Sequence, residues 1–183
     1  VTGITIQASR VTISGLVINR FNLGIGIIGS NNTIENCYIG INPDGETPTD
    51  FVQILGIGIT GSSSSDNRIG GAYSTGGNVI GNNGTGILIG SGAKNNTISN
   101  NKIGTNKSGT ATIGNNMGIA LSSGAESNQI GGVLGEDGNQ ISGCAEVCIT
   151  ILQSSKKNRI SGNLIGTNAD GSAALPNGSL GIV

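Results

Sequence analysis

Three stretches decide how this chain is read: NNTIENCYIGINPDGE at 31–46, NNTISNNKIGTNKSGT at 95–110 and NRISGNLIGTNADGS at 158–172. Two looser pairs lie between them, DNRIGG at 66–71 with GNVIGNNGTGILI at 77–89, and SNQIGG at 127–132 with GNQISG at 138–143. Working outward, the apolar residues sort into three columns. The first holds Ile13, Ile34, Ile69, Ile98, Ile130 and Ile160; the second holds Ile18, Ile39, Ile80, Ile103, Ile141 and Ile165. The third is a doublet: Ile4/Ile6, Ile25/Ile27, Ile57/Ile59, Ile87/Ile89, Ile119/Leu121 and Ile149/Ile151, ending at Ile182. From first to second column the gaps run 5, 5, 11, 5, 11, 5, and from second to third 7, 18, 7, 16, 8, 17. An amphipathic helix returns to its face every ~3.6 residues and cannot produce such jumps. A coil of three short strands can, because only its corners change length. The insertions alternate between two corners and give a super-repeat of about 63 residues.

Strand side chains alternate faces, so a residue two positions before an inward Ile also points inward. Before the first column stand Val11, Asn32, Asn67, Asn96, Asn128 and Asn158. Before the second stand Leu16, Cys37, Asn78, Asn101, Asn139 and Asn163. A buried amide is costly unless it is bonded. Stacked at ~4.8 Å per coil, these asparagines can bond to one another and form structural ladders. The residue before the third-column doublet is Gly24, Gly56, Gly86, Gly118, Cys148 and Gly181, which suggests a tight bend using glycine's backbone freedom. Pro43, Pro48 and Pro176 all fall in the long second-corner loops, where no ladder N–H is lost.

Composition agrees. In 183 residues there are 34 Gly but 3 Pro, 10% charged residues, 2% aromatics and a net charge of −1. There is no Gly-X-Y period, which excludes collagen. The helix formers are too scarce for a helical domain, and Ile, Thr, Asn, Gly and Ser suit strands and tight turns. No apolar run approaches ~18 residues, so no membrane insertion is expected. No basic patch or aromatic platform suits nucleic acid. The chain has no His, which removes the commonest acid/base group and metal ligand.

The repeated residues resemble the right-handed parallel β-helix repeats of the pectate-lyase-like superfamily. They are most similar to bacterial secreted or surface repeat proteins with N-N-x-I-x-x-N-x-I-G-T-[ND]-x-x-G-T segments. The resemblance implies an all-β fold, a single-stranded right-handed parallel β-helix (solenoid) of about six coils and three strand stacks. Right-handed crossover is also the general rule for parallel strands. Residues 1–183 are expected to form a single β-helix domain. The chain opens at Val1, and both ends lie in uncapped third-column strands, around Ile4 and Ile6 and at Ile182 and Val183. The expectation is a segment of a longer solenoid or fibre, continuing into neighbouring β-helix coils or stacking head to tail with copies of itself.

The resemblance also implies candidate chemistry, since the superfamily includes polysaccharide lyases, hydrolases and epimerases that group carboxylates beside a basic residue. The ten acids here do not cluster in sequence. Asp44 and Asp170 occupy equivalent loop positions four coils apart, about 19 Å, with Ser108 at the intermediate copy. Asp44-Gly45 and Asp170-Gly171 read as tight turns. Asp44 with Glu46, and Glu136 with Asp137, read as solvated turn residues rather than cation ligands; the counterpart of the second pair, 72–75, has no acid. Arg68, Lys102 and Arg159 fall at outward positions, and Lys156-Lys157 reads as a solvated pair. Phe21, Tyr38, Phe51 and Tyr73 are too dispersed for a sugar platform. The outward column Thr12, Thr33, Arg68, Thr97, Gln129, Arg159 breaks the regular Thr array that ice binding would want. N-x-[ST] sequons follow from a turn-rich composition, and the glycine-rich stretches lack the Lys-Ser/Thr and helix of a phosphate loop. No catalytic, cofactor or metal residue is therefore assigned. Cys144 and Cys148 can form a disulfide across a corner, leaving Cys37 as a small thiol in an inward ladder slot. The expected function is a non-catalytic structural or adhesive segment, extracellular or at the cell surface. The alternatives are a fragment of a polysaccharide-active enzyme and a carbohydrate-binding surface.

Overall fold

The computed structural model describes residues 1–71, 76–133 and 137–183. Short runs of β-branched residues, interrupted by residues that accept left-handed backbone, can only make short strands. The described residues form nineteen, none longer than 8 residues. They are β1 (Thr2–Ile6), β2 (Thr12–Ser14), β3 (Val17–Ile18), β4 (Leu23–Ile27), β5 (Thr33–Glu35), β6 (Tyr38–Ile39), β7 (Gln53–Thr60), β8 (Arg68–Ile69), β9 (Val79–Ile80) and β10 (Asn83–Gly90). There follow β11 (Thr97–Ile98), β12 (Lys102–Ile103), β13 (Asn115–Leu121), β14 (Gln129–Gly131), β15 (Gln140–Ile141), β16 (Cys144–Ile151), β17 (Arg159–Ser161), β18 (Leu164–Ile165) and β19 (Leu180–Ile182).

Strands too short to hold together alone must stack. Every third strand pairs in parallel, giving a 7-stranded sheet from β1 to β19, a 6-stranded sheet from β2 to β17 and a 6-stranded sheet from β3 to β18. We call these sheets A, B and C. After β1, each coil runs B, C, A, so β2–β4 is coil 1 and β17–β19 is coil 6. This is a parallel β-helix. The three isoleucine columns are its registers: Ile34 pairs with Ile13 and Ile69 in sheet B, Ile39 with Ile18 and Ile80 in sheet C, and Ile57 with Ile25 and Ile87 in sheet A. The interior isoleucines of all three columns are buried and form one core. Long second corners occur in coils 2, 4 and 6, long first corners in coils 3 and 5, as the spacings predict.

The glycine column requires a correction. Gly24, Gly56, Gly86 and Gly118 lie inside strands of sheet A, and none has a positive φ. Their constraint is axial crowding. A Cβ at Gly24, Gly56 or Gly86 would meet the carbonyl oxygen of the next glycine in the column at 2.6, 2.5 and 2.7 Å. At Gly118 it would press on the Cys148 carbonyl. Glycine is needed there for close approach rather than for a bend.

The long second-corner loops stack on one another although a coil lies between them. Lys107 N donates to Gly45 O at 2.8 Å, and Ala169 N donates to Gly109 O at 3.1 Å. Each loop closes on itself through an antiparallel bridge, Ile41–Pro48, Thr105–Thr112 and Thr167–Ala174.

Candidate functional site

The inward asparagines make the ladders that the sequence spacing calls for. In the first, each side-chain amide donates to the side-chain oxygen one coil on: Asn32 to Asn67, Asn67 to Asn96, Asn96 to Asn128 and Asn128 to Asn158, all at 3.0 Å. The same oxygens accept the backbone N–H of the residue one coil back, so Val11, Asn32, Asn67, Asn96 and Asn128 each donate once more. The second ladder repeats the pattern through Asn78, Asn101, Asn139 and Asn163. Cys37 N donates to Asn78 Oδ1. Among the described residues no buried side-chain polar atom lacks a partner.

A third ladder escaped sequence reasoning. Gln53 Nε2 donates to Asn83 Oδ1, and Asn83 Nδ2 donates to Asn115 Oδ1. Phe21 N donates to Gln53 Oε1, and Cys144 N donates to Asn177 Oδ1. Its signal was an amide residue three places before the sheet-A glycine: Gln53 and Gly56, Asn83 and Gly86, Asn115 and Gly118. The signal is lost in coils 5 and 6, where one extra residue intervenes. The structure records that residue as a register shift between β13 and β16. Cys144 stands in the ladder slot and Cys148 in the glycine slot, and the two are joined by a disulfide with a Cα–Cα separation of 5.4 Å. The bond closes the bulged segment where the amide rung is missing. Cys37 is free and buried, and burial pushes its thiol pKa up.

The loop acids hold their own turns. Asp44 Oδ1 accepts the backbone N–H groups of Glu46 and Thr47, and the Glu46 N–H does most to hold its carboxyl below the ordinary range. Asp170 is lowered first by the Ser172 hydroxyl, then by the Ser172 N–H. Glu46 accepts from Asn106 Nδ2 at 2.6 Å and lies 3.8 Å from Lys107. Lys156 and Lys157 converge on Glu126 at 3.7 and 3.0 Å, and the Lys157 hydrogen bond is the main cause lowering that carboxyl. Among the described residues no three His, Cys, Asp or Glu side chains gather as a metal site. Glu136, Tyr73 and the 72–75 counterpart lie outside the described residues.

One concave site stands out on the outside of sheet B. Register places Arg68, Thr97, Gln129 and Arg159 in one outward row across coils 3 to 6. At ~4.8 Å per rung the two arginines stand about 14 Å apart. Ser99, Gly131 and Ser161 form a second row, and Val133 with Asp137, from the coil-5 first corner, stand over it; Asp66 and Asn95 flank the other side. The groove has a volume of about 660 Å³. Gln129 Nε2 donates to Gly131 O and Ser161 Oγ, and Asp137 O accepts from Asn100 N, so the floor and wall are fixed. Two guanidiniums, two carboxylates, hydroxyls and an amide along one axis can hydrogen-bond an extended polyhydroxylated or charged chain. Sequence reasoning placed Arg68, Arg159 and Gln129 in this outward column, and Asp137 in a separate loop. Only folding brings Asp66 and Asp137 to the same groove. No protein-family model matches this chain, and no curated protein matches it.

Proposed function

We propose that the chain is a non-catalytic structural or adhesive segment of an extracellular or cell-surface solenoid. The observation that carries this reading is the repetition of one coil-to-coil contact: three parallel registers over six coils, backed by amide ladders along the axis over coils 2–6, 3–6 and 2–4. Such a molecule resists axial slippage at every rung, which suits a rod or stalk. The Cys144–Cys148 disulfide supports an oxidising compartment, and the resemblance to pectate-lyase-like surface repeat proteins points the same way. The test is incubation with a panel of acidic and neutral polysaccharides. Asp44→Asn, Asp137→Asn and Asp170→Asn variants, together with Glu136→Gln, serve as controls. No new chain ends are expected from any of them. Turnover that one of these substitutions abolishes would replace the structural reading with the enzymatic one.

The groove favours a second reading, a carbohydrate-binding surface, because it lines up hydrogen-bonding side chains over four rungs. Glycan-array binding that falls at least tenfold in Arg68→Ala/Arg159→Ala would support it, and unchanged binding would remove the groove from consideration.

A further inference from the structure

The outer face of sheet A is built unlike those of sheets B and C. The chain has 9 basic and 10 acidic residues, yet among the described strands of this largest sheet only Glu146 is charged. Register lays two rows along its outside through coils 1 to 5. The first is Leu23, Leu55, Thr85, Met117 and Val147, and the second is Gly26, Gly58, Leu88, Ala120 and Thr150. A Cβ placed on Gly26 or Gly58 would meet Cδ2 of Leu23 or Leu55 at 3.2 and 3.1 Å, so the two rows share one face. The first row is half-buried throughout. The second is buried except at Leu88.

Side-chain size follows a rule across these rows. Coils 1, 2 and 4 put the large residue in the first row and the small one in the second: Leu23 with Gly26, Leu55 with Gly58, Met117 with Ala120. Coil 3 reverses the order, Thr85 before Leu88, and coil 5 carries the nearly equal Val147 and Thr150. Consider a two-fold axis parallel to the solenoid axis and lying between the rows. It sets each rung against the same rung of a second copy and exchanges the rows. Leu55 then faces Gly58, Met117 faces Ala120, and Leu88 faces Thr85, each contact occurring twice as an isologous interface requires. A slip of one rung would set Leu88 against Leu55 or Met117. A two-fold axis along the strands would set Leu55 against Met117 and Leu88 against itself, and leave Gly58 opposite Ala120. Only the same-rung arrangement matches large with small at every level, as close packing demands.

The size of the face agrees with a second copy as its occupant. Five rungs at ~4.8 Å and strands of about seven residues at ~3.3 Å give a face of about 550 Å². An uncharged patch of that order, roughly 300–600 Å², is the largest a monomer commonly exposes. Two such faces bury about 1,100 Å² together, just above the lower limit for a specific interface, so the contact is reversible.

We infer that two copies of this chain pair side by side through the outer face of sheet A, with solenoid axes parallel, equal rungs opposed and the two outward rows exchanged. The pairing goes beyond the scaffold reading: it is lateral, uses coils 1 to 5, and involves neither end of the solenoid.

Sedimentation velocity of the full chain over a rising concentration series should show a monomer–dimer equilibrium. Leu88→Glu and Thr85→Lys each place unpaired charges in the contact, and each alone should weaken it about tenfold or more. Mixed in equal amounts, these two variants should recover association, because the introduced charges then face each other across the two-fold. A mixture of Leu88→Glu with Leu88→Lys should not, since both changes lie in the same row. Thr12→Glu/Thr33→Glu adds two acids to the outside of sheet B and should leave the equilibrium unchanged. Circular dichroism and urea midpoints report whether each variant keeps its fold, and the wild-type series reads the pairing without any substitution. A wild-type chain that stays monomeric throughout would overturn the inference and leave the face to a different partner. So would a dimer that only the Leu88→Glu and Leu88→Lys mixture restores, or one that Thr12→Glu/Thr33→Glu weakens as much as Leu88→Glu does.

Discussion

A ladder asparagine serves four groups at once. Asn96 accepts from Asn67 N and Asn67 Nδ2, and donates to Ser64 O and Asn128 Oδ1. Asn96→Ala leaves the buried Asn67 N–H without a partner and takes one bond each from Asn67 Nδ2, Ser64 O and Asn128 Oδ1, which keep Gly29 O, Lys94 N and the backbone N–H of residue 96. At about 1–3 kcal/mol for the one buried orphan, with a smaller loss from the shared bonds, the expected cost is about 2–4 kcal/mol, read as a lower urea midpoint at unchanged slope. The converse substitution is informative too. Cys37 occupies a slot where its sulfur faces the Leu16 N–H and where Asn78 Oδ1 receives only a backbone donor from coil 2. Cys37→Asn supplies an oxygen for Leu16 and a second donor for Asn78, so it should stabilise the fold by about 1 kcal/mol. That Cys37 belongs to a ladder was legible from spacing alone, because the period of two places it on the same face as the neighbouring Ile39. The cost of each rung was not, since it depends on carbonyls such as Ser64 O that reach the slot only after a full turn of the solenoid.

At the scale of the strand, sheet A is where the coil pattern is most constrained and where the sequence was least transparent. Its glycines were visible as a column, but a one-dimensional pattern does not distinguish a bend from a collision. The carbonyls that forbid a side chain, such as Gly118 O above Gly86, come from the next coil, about 30 residues away. Gly86→Ala should therefore destabilise the chain by about 1–3 kcal/mol, as overpacking typically does, and Gly181, an exposed glycine of the same column with open space around it and no positive φ, gives the contrast. The third ladder was hidden for a related reason. One extra residue in coils 5 and 6 shifts Cys144 and Asn177 off the spacing that Asn83 and Asn115 share. Counting thiols tests the disulfide there: one free group in the unfolded, unreduced chain and three after reduction. For so short a loop, reduction should cost about 2 kcal/mol. The groove on sheet B was half legible. Its floor residues alternate outward in the strands, but Asp137 enters from a corner whose direction no periodicity records.

Taken as a whole, the molecule is held by neutral groups: isoleucines, backbone ladders and amides. Its stability should accordingly vary little across the middle of the pH range, and the few shifted groups define where it fails. Asp44, Glu126 and Asp170 have folded pKa values below their ordinary ones. A depressed carboxyl stabilises the fold above its unfolded pKa of about 4 and loses that contribution as pH falls through the folded value. All three are on the surface, so the acid limb should be shallow and weakened further by salt. Cys37 works in the opposite direction. Its folded pKa is raised above 9.0 by burial, so its contribution is complete below the unfolded pKa and declines as pH rises through the folded one. With no histidine in the chain, nothing titrates strongly in between. Urea midpoints should therefore be flat from about pH 5 to pH 8, fall gently below about pH 4, and fall above about pH 9 in the wild-type chain. In Cys37→Asn the alkaline fall should be smaller, because the only buried thiol is gone. An identical alkaline limb in that variant would show that Cys37 does not control the high-pH end.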